Sequence, residues 1–209
     1  MAKKARYHHP DLRQALLDGA MRLIDEEGLR GFSLRKLAAQ AGVSHAAPYR
    51  HFENKEQILV ALMLEGHKRL RQTLVAAEQD CKGTAVEKYL AMARAYLAFA
   101  RRNPEYLRVM FSREALAAAR AMRPGEDVHG SDYDSFGVLE AIVRRCQDEG
   151  ALPADADVGV LSLLSWVEVH GLALLCNEGL IRQMSEERGG TEKRTLGTIF
   201  AIMKARLAP

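Results

Sequence analysis

The chain has 209 residues, 48% hydrophobic and 27% charged, with a formal net charge of +3. That length allows one or two domains with a substantial core, and apolar helical stripes with few β-branched or aromatic runs predict an all-α protein. Three scattered cysteines, Cys81, Cys146 and Cys176, exclude a disulfide framework or a cysteine-rich zinc site and fit a reducing, cytoplasmic setting.

Lys3, Lys4 and Arg6 form a basic arm that either reaches phosphates or a minor groove or is simply a solvated end. MAKKARYHHP has no apolar segment behind it, so no secretory leader is expected, and no apolar run reads as a bilayer span. His8 and His9 are adjacent and would face different ways on a helix, so no metal site is expected there. A first helix is predicted from near Pro10, with Leu12, Ala15, Leu16, Gly19, Ala20, Leu23 and Ile24 as its stripe and Gly28 as its C′ residue. Phe32 to Lys55 then reads as two short helices about a glycine turn. Ser33 is the expected N-cap of the first, with Phe32 and Leu37 at hydrophobic-staple spacing and Leu34, Leu37, Ala38 and Ala41 on the apolar face. Gly42 makes the turn and Val43 is the expected core plug. Ser44 is expected to cap a second helix of about two turns, His45 to Phe52, and Asn54 with Gln57 has capping-box spacing for the next.

The second helix carries the chemistry. His45, Ala46 and Ala47 make a small, polar first turn that base edges can approach, and Tyr49, Arg50, His51 and Lys55 supply hydrogen-bond donors for phosphates. Of the net charge, +4 lies in residues 1–55 and −1 in the remainder. The run GVSHAAPYRHFENKEQIL, preceded by FSLRKLAAQA, resembles the DNA-binding segment of the TetR (tetracycline-repressor-like) family. The Tyr-x-His-Phe-x-x-Lys spacing, here Tyr49, His51, Phe52 and Lys55, is its most specific part, and the resemblance covers roughly residues 10–65. It implies phosphate contacts from Ser33, Ser44, Tyr49, His51 and Lys55, with Arg35, His45, Ala46, Ala47 and Arg50 facing bases. Pro48 departs from the family pattern, which usually carries an apolar helix-former there. It forfeits one backbone bond, and a tight or irregular helix is the expected consequence.

A long helix is predicted from Lys55 to about Gln79, with Ile58, Leu59, Leu62, Leu70 and Leu74 inward. The resemblance makes it the link between DNA-binding and regulatory parts, so the domains are read as 1–55 and 56–209. Thr84 and Glu87 have capping-box spacing for a helix to about Arg102 that buries Val86, Leu90, Ala93, Leu97 and Ala100. Asn103-Pro104 restarts the chain into one helix through Tyr106, Leu107, Met110 and Phe111 to about Met122. RPGEDVHGSD is a loop. A helix follows from about Tyr133 to Glu149, closed by Gly150. Asp157 to Asn177 is apolar nearly all round and needs covering on every side. A last helix, about Thr191 to Leu207, offers Leu196, Ile199, Phe200, Met203 and Leu207. These last two helices read as half of a four-helix homodimer interface with C2 symmetry, giving about nine helices in all. Trp166, His170 and Gly171 also resemble a C-terminal domain type named for Trp, His and Gly within that family.

Met92, Tyr96, Phe99, Tyr106, Met110, Phe111, Trp166 and His170 are the candidates to line an effector pocket, against the alternative that most are ordinary core. No charged counter-ion stands out among them, so the expected effector is apolar or amphipathic. No G-x-S-x-G, Walker loop, dinucleotide glycine pattern or H-E-x-x-H occurs, and neither catalysis nor a cofactor is expected. The leading expectation is a dimeric repressor that releases a near-palindromic operator on binding a small molecule. Its rivals are an effector-independent nucleoid DNA-binding protein of the same fold, and a small-molecule binding protein with a vestigial DNA motif.

Overall fold

The computed structural model describes residues 11–122 and 131–207. The basic arm, His8, His9, Pro10 and most of the RPGEDVHGSD loop lie outside the described residues. Within them the fold is all-α, without strands: α1 (Leu12–Gly31), α2 (Leu34–Gln40), a 3-10 turn (Pro48–Arg50), α3 (Lys55–Asp80), α4 (Ala85–Arg102), α5 (Pro104–Met110), α6 (Arg113–Ala121), a second 3-10 turn (Ser131–Tyr133), α7 (Ser135–Asp148), α8 (Val158–Asn177), α9 (Leu180–Glu187) and α10 (Glu192–Arg206). They fall into two compact units, residues 11–66 with 105–122 and residues 67–104 with 131–207, so the division falls inside α3.

In the first unit, Asp11 caps α1 and the stripe Leu16, Ala20 and Ile24 is fully buried. Gly28 leaves the helical path at φ 76° and ψ 171°, a region that only glycine enters readily, and one further turn carries α1 to Gly31. Ser33 caps α2 by accepting from Lys36 N at 3.3 Å. The α2 C-terminus closes as a Schellman motif, with Gly42 at φ 66°, Gly42 N donating to Ala39 O and Val43 N to Ala38 O. Asn54 Oδ1 accepts from Gln57 N at 2.9 Å to cap α3. The returning Gln57 side chain takes Glu53 N, one residue before the expected position.

Three sequence-based expectations fail here. The predicted two-turn helix from His45 to Phe52 is replaced by a turn and the 3-10 segment Pro48–Arg50. Pro48 has no N–H to give Ser44 O, and Ala47 N takes that carbonyl instead at 2.9 Å. The expected plug, Val43, is only half-buried, whereas Pro48 and Phe52 are buried. Downstream, the single helix expected from Pro104 to Met122 is two. Ser112 turns its hydroxyl to Val109 O and caps α6 through Ala115 N at 3.0 Å, breaking the ladder between Met110 and Arg113.

In the second unit α4 packs on α7, α8 and α10. Thr84 and Glu87 close the predicted capping box of α4, and Tyr89, Leu90, Ala93, Leu97 and Ala100 are buried, while Val86 is only half so. Glu149 accepts from Ala85 N at 2.8 Å and fastens the end of α7 to the start of α4. A short helix that no sequence signal predicts, α9, follows α8. It opens at Gly179 in the left-handed region and is only 8 residues long.

Candidate nucleic-acid interface

Apart from Lys55, which opens α3, the residues expected to meet DNA lie at the start of α2 and on the turn after it, and the two pack together around the buried Pro48. Burying the proline turns its neighbours outward. Tyr49 is 57% exposed, and Arg50, His51, Ser44, His45 and Ala46 are exposed as well. Ala47 is half-buried. Arg35 stands exposed on α2 two residues from the capping Ser33, which is half-buried with its hydroxyl on Lys36 N. The 3-10 geometry winds about 3.0 residues per turn instead of 3.6, so side chains three apart eclipse. Tyr49 and Arg50 therefore project at angles that an α-helix would not give.

Lys55 occupies a different environment. It is half-buried, its Nζ donates to Leu29 O at 2.7 Å and stands 4.7 Å from the centre of the Phe32 ring. Behind the turn, Arg13 lies over Phe52 at 5.4 Å, fastening α1 to the aromatic residue that follows the turn.

The pocket candidates divide between the units. Tyr106 and Met110 are buried and Phe111 half-buried in the unit that carries α1 and α2. Met92, Tyr96 and Phe99 on α4 and Trp166 and His170 on α8 belong to the other. There Tyr96 Oη pairs with His170 Nδ1 at 2.7 Å, and the Trp166 ring lies against the imidazole with centroids 5.0 Å apart. Burial pushes the Tyr96 phenol up to about 12 and the His170 imidazole below its ordinary value. Both groups are therefore neutral near pH 7. The phenol donates to Nδ1, which leaves the imidazole proton on Nε2. Burial likewise raises Cys146 to about 11 and Cys176 above its ordinary value, so neither is a ready thiolate.

A sequence model described as "Bacterial regulatory proteins, tetR family" matches residues 16–62. A second, described as "Tetracyclin repressor-like, C-terminal domain", matches residues 89–199, more than half of the chain. The chain belongs to the TetR family. Relatives include the HTH-type transcriptional regulator BetI of Rhizobium meliloti, 28% identical over 77% of this chain and 90% of that protein. The nucleoid occlusion factor SlmA of Idiomarina loihiensis is 31% identical over 73% of this chain and 72% of its own length. A solved structure from Rhodococcus sp. RHA1, a protein of unknown function, matches with a TM-score of 0.75 at 28% identity, over 99% of this chain and 100% of that one.

As a TetR-family member the protein is a DNA-binding transcriptional regulator. The TetR-type head lay open to sequence reading because caps, staple and glycine turn are local. Two of its features were missed: the burial of Pro48, and the engagement of Lys36 and Lys55 by the chain around Gly28. The first had a signal, since a proline four residues after a cap cannot continue an α-helix. The second depends on where the Gly28 break sends residues 29–31, which no spacing reveals.

Proposed function

We propose that the protein is a ligand-responsive repressor that binds a near-palindromic operator as a homodimer joined through α8 and α10. The observation that carries the DNA half of this reading is the exposed set around the buried Pro48 turn. Ser33, Ser44, Tyr49 and His51 contact phosphates, and Arg35, His45, Ala46, Ala47 and Arg50 face bases. Two such heads related by a twofold axis read half-sites about one helical turn, ~34–36 Å, apart.

The dimer half rests on α8. Val160, Leu163, Leu164, Val167, Leu174 and Leu175 are all exposed and recur at helical spacing along one face. Contrary to the expectation that no run could span a bilayer, α8 is long and apolar enough to do so, with 20 residues and a mean hydropathy of 1.7. Its Glu168 accepts from Arg206 of α10 at 2.7 Å, which suits a helix covered by protein. A second copy is the occupant proposed for this face. The effector is small and apolar or amphipathic, taken up among Met92, Tyr96, Phe99, Trp166 and His170. The protein acts in the cytoplasm and without catalysis.

Salt-titrated binding to DNA from just upstream of its own gene, with competitor present, tests the reading. Binding that survives competitor at moderate salt, and that a small amphipathic compound abolishes, is the expected result. Competitor-resistant binding that no compound from a broad amphipathic panel weakens would favour the effector-independent reading instead.

A further inference from the structure

Two lysines of the DNA-binding head hold the chain that follows the Gly28 break, and they hold it differently. Lys36, third residue of α2, reaches back to pair with the Glu27 carboxylate and donates to Gly31 O at 2.9 Å. Both side chains of that ion pair remain open to solvent, 48% exposed for Lys36 and 38% for Glu27. Lys55 is half-buried, bonded to Leu29 O, and set against the buried Phe32 ring. An exposed ion pair contributes little to stability and can be exchanged for another anion at small cost. The carbonyl that Lys36 would leave, Gly31 O, lies where water can replace the ammonium. Lys55, by contrast, is half-buried against an aromatic face and its bond to Leu29 O is part-buried, so withdrawing it strands an acceptor. Lys36 also adjoins Arg35 on the exposed side of α2, so the α2 surface that meets DNA brings its amine within reach of the backbone.

Resting on the DNA-binding reading of this head, we infer that Lys36 is its releasable phosphate-binding cation, held back in the free protein by Glu27. Lys55 is a brace for residues 29–31 and neutralises no phosphate. When duplex arrives, the Lys36 ammonium passes from the Glu27 carboxylate and Gly31 O to a phosphate oxygen, the DNA sheds a condensed counterion, and both exposed acceptors are left to water. Glu27 is thus an internal competitor of the phosphate backbone and sets the affinity of the head without touching DNA.

The test uses the full-length protein and a short, fluorescently labelled duplex of mixed sequence across a potassium chloride series. Phosphate contacts are sequence-independent, so no operator need be known. Lys36→Gln is expected to reduce the slope of log K against log salt by about 0.9, the loss of one phosphate contact. Glu27→Gln is expected to tighten binding roughly 2- to 5-fold at low salt, the size of a surface pair removed. In the Lys36→Gln background that gain should vanish, because nothing remains to release. Lys55→Gln should lower the melting temperature, with the slope in salt retained.

An undiminished Glu27→Gln gain in the absence of Lys36 would mean that the carboxylate acts only by general repulsion, and the gate is overturned. A slope lowered by Lys55→Gln and untouched by Lys36→Gln overturns the assignment of the two lysines. If the unmodified protein bound no duplex even at the lowest salt, the DNA-binding reading itself would fall and the inference with it.

Discussion

His170 shows how far one contact reaches. It accepts from Tyr96 and stacks on Trp166, and burial lowers its proton affinity, as it also does for His67 on α3. A histidine depressed in the folded state binds protons more readily when unfolded. Its contribution to stability is fully present above the ordinary value of 6.5 and is lost as the pH falls below it towards the folded-state value. The melting temperature should therefore decline on acidification below about pH 6.5, less steeply in His170→Asn than in the unmodified protein. Trp166 is the only tryptophan in the chain, and an imidazolium stacked on an indole quenches its emission, so fluorescence reports this titration directly. The quench should have its midpoint below 6.5; a midpoint at or above that value would show that burial does not govern the site.

The legibility of elements depended on whether their ends are set locally. Caps at Ser33, Asn54, Thr84 and Asp157, and the glycine turns at 42 and 150, bond to residues within a few positions, and each of the elements they bound was legible. The α5–α6 break escaped because the alanine-rich continuation looks helical throughout, and only the Ser112 hydroxyl bonding both ways interrupts it. Which pocket candidates share a unit is a matter of long-range packing, and spacing is silent on it. Gly66 on α3 illustrates the same point. A methyl built there would stand 2.6 Å from Met110 Cγ, 2.7 Å from Met110 Sδ and 3.1 Å from Tyr106 Cδ1. In a solvated helix Gly→Ala would stabilise by about 1 kcal/mol. Here Met110 is fully buried and has little room to give, so overpacking of about 1–3 kcal/mol offsets or exceeds that gain. Gly66→Ala should therefore lower the melting temperature or leave it level, and Gly66→Val should lower it further. A clear rise for Gly66→Ala would show that α5 does not press on α3 at this residue.

At the scale of the molecule the decisive question is what covers α8. A lone chain leaves Val160, Leu163, Leu164, Val167, Leu174 and Leu175 in water, an apolar stripe along one face of the kind that marks an interface. Because these side chains face outward, charging one of them removes little from the fold of a single chain. Surface substitutions of this kind usually fall within about 0.5 kcal/mol. In a C2 interface the same substitution is felt twice, since each residue acts in both copies, and a buried unpaired carboxylate costs far more than it does in solvent. Val167, 55% exposed and central in the stripe, is a position where these two costs differ widely. Val167→Glu should therefore sediment as a monomer with an unchanged helical circular-dichroism spectrum, and its melting temperature should no longer rise with protein concentration as a dimer's does. Operator affinity should fall with it, because two heads no longer bind as one ligand. A Val167→Glu protein that stays dimeric and keeps its operator affinity would move the interface off this face of α8. A helical spectrum lost along with the dimer would instead mean that the chain has no stable folded monomer, and that α8 belongs to a core shared by two copies.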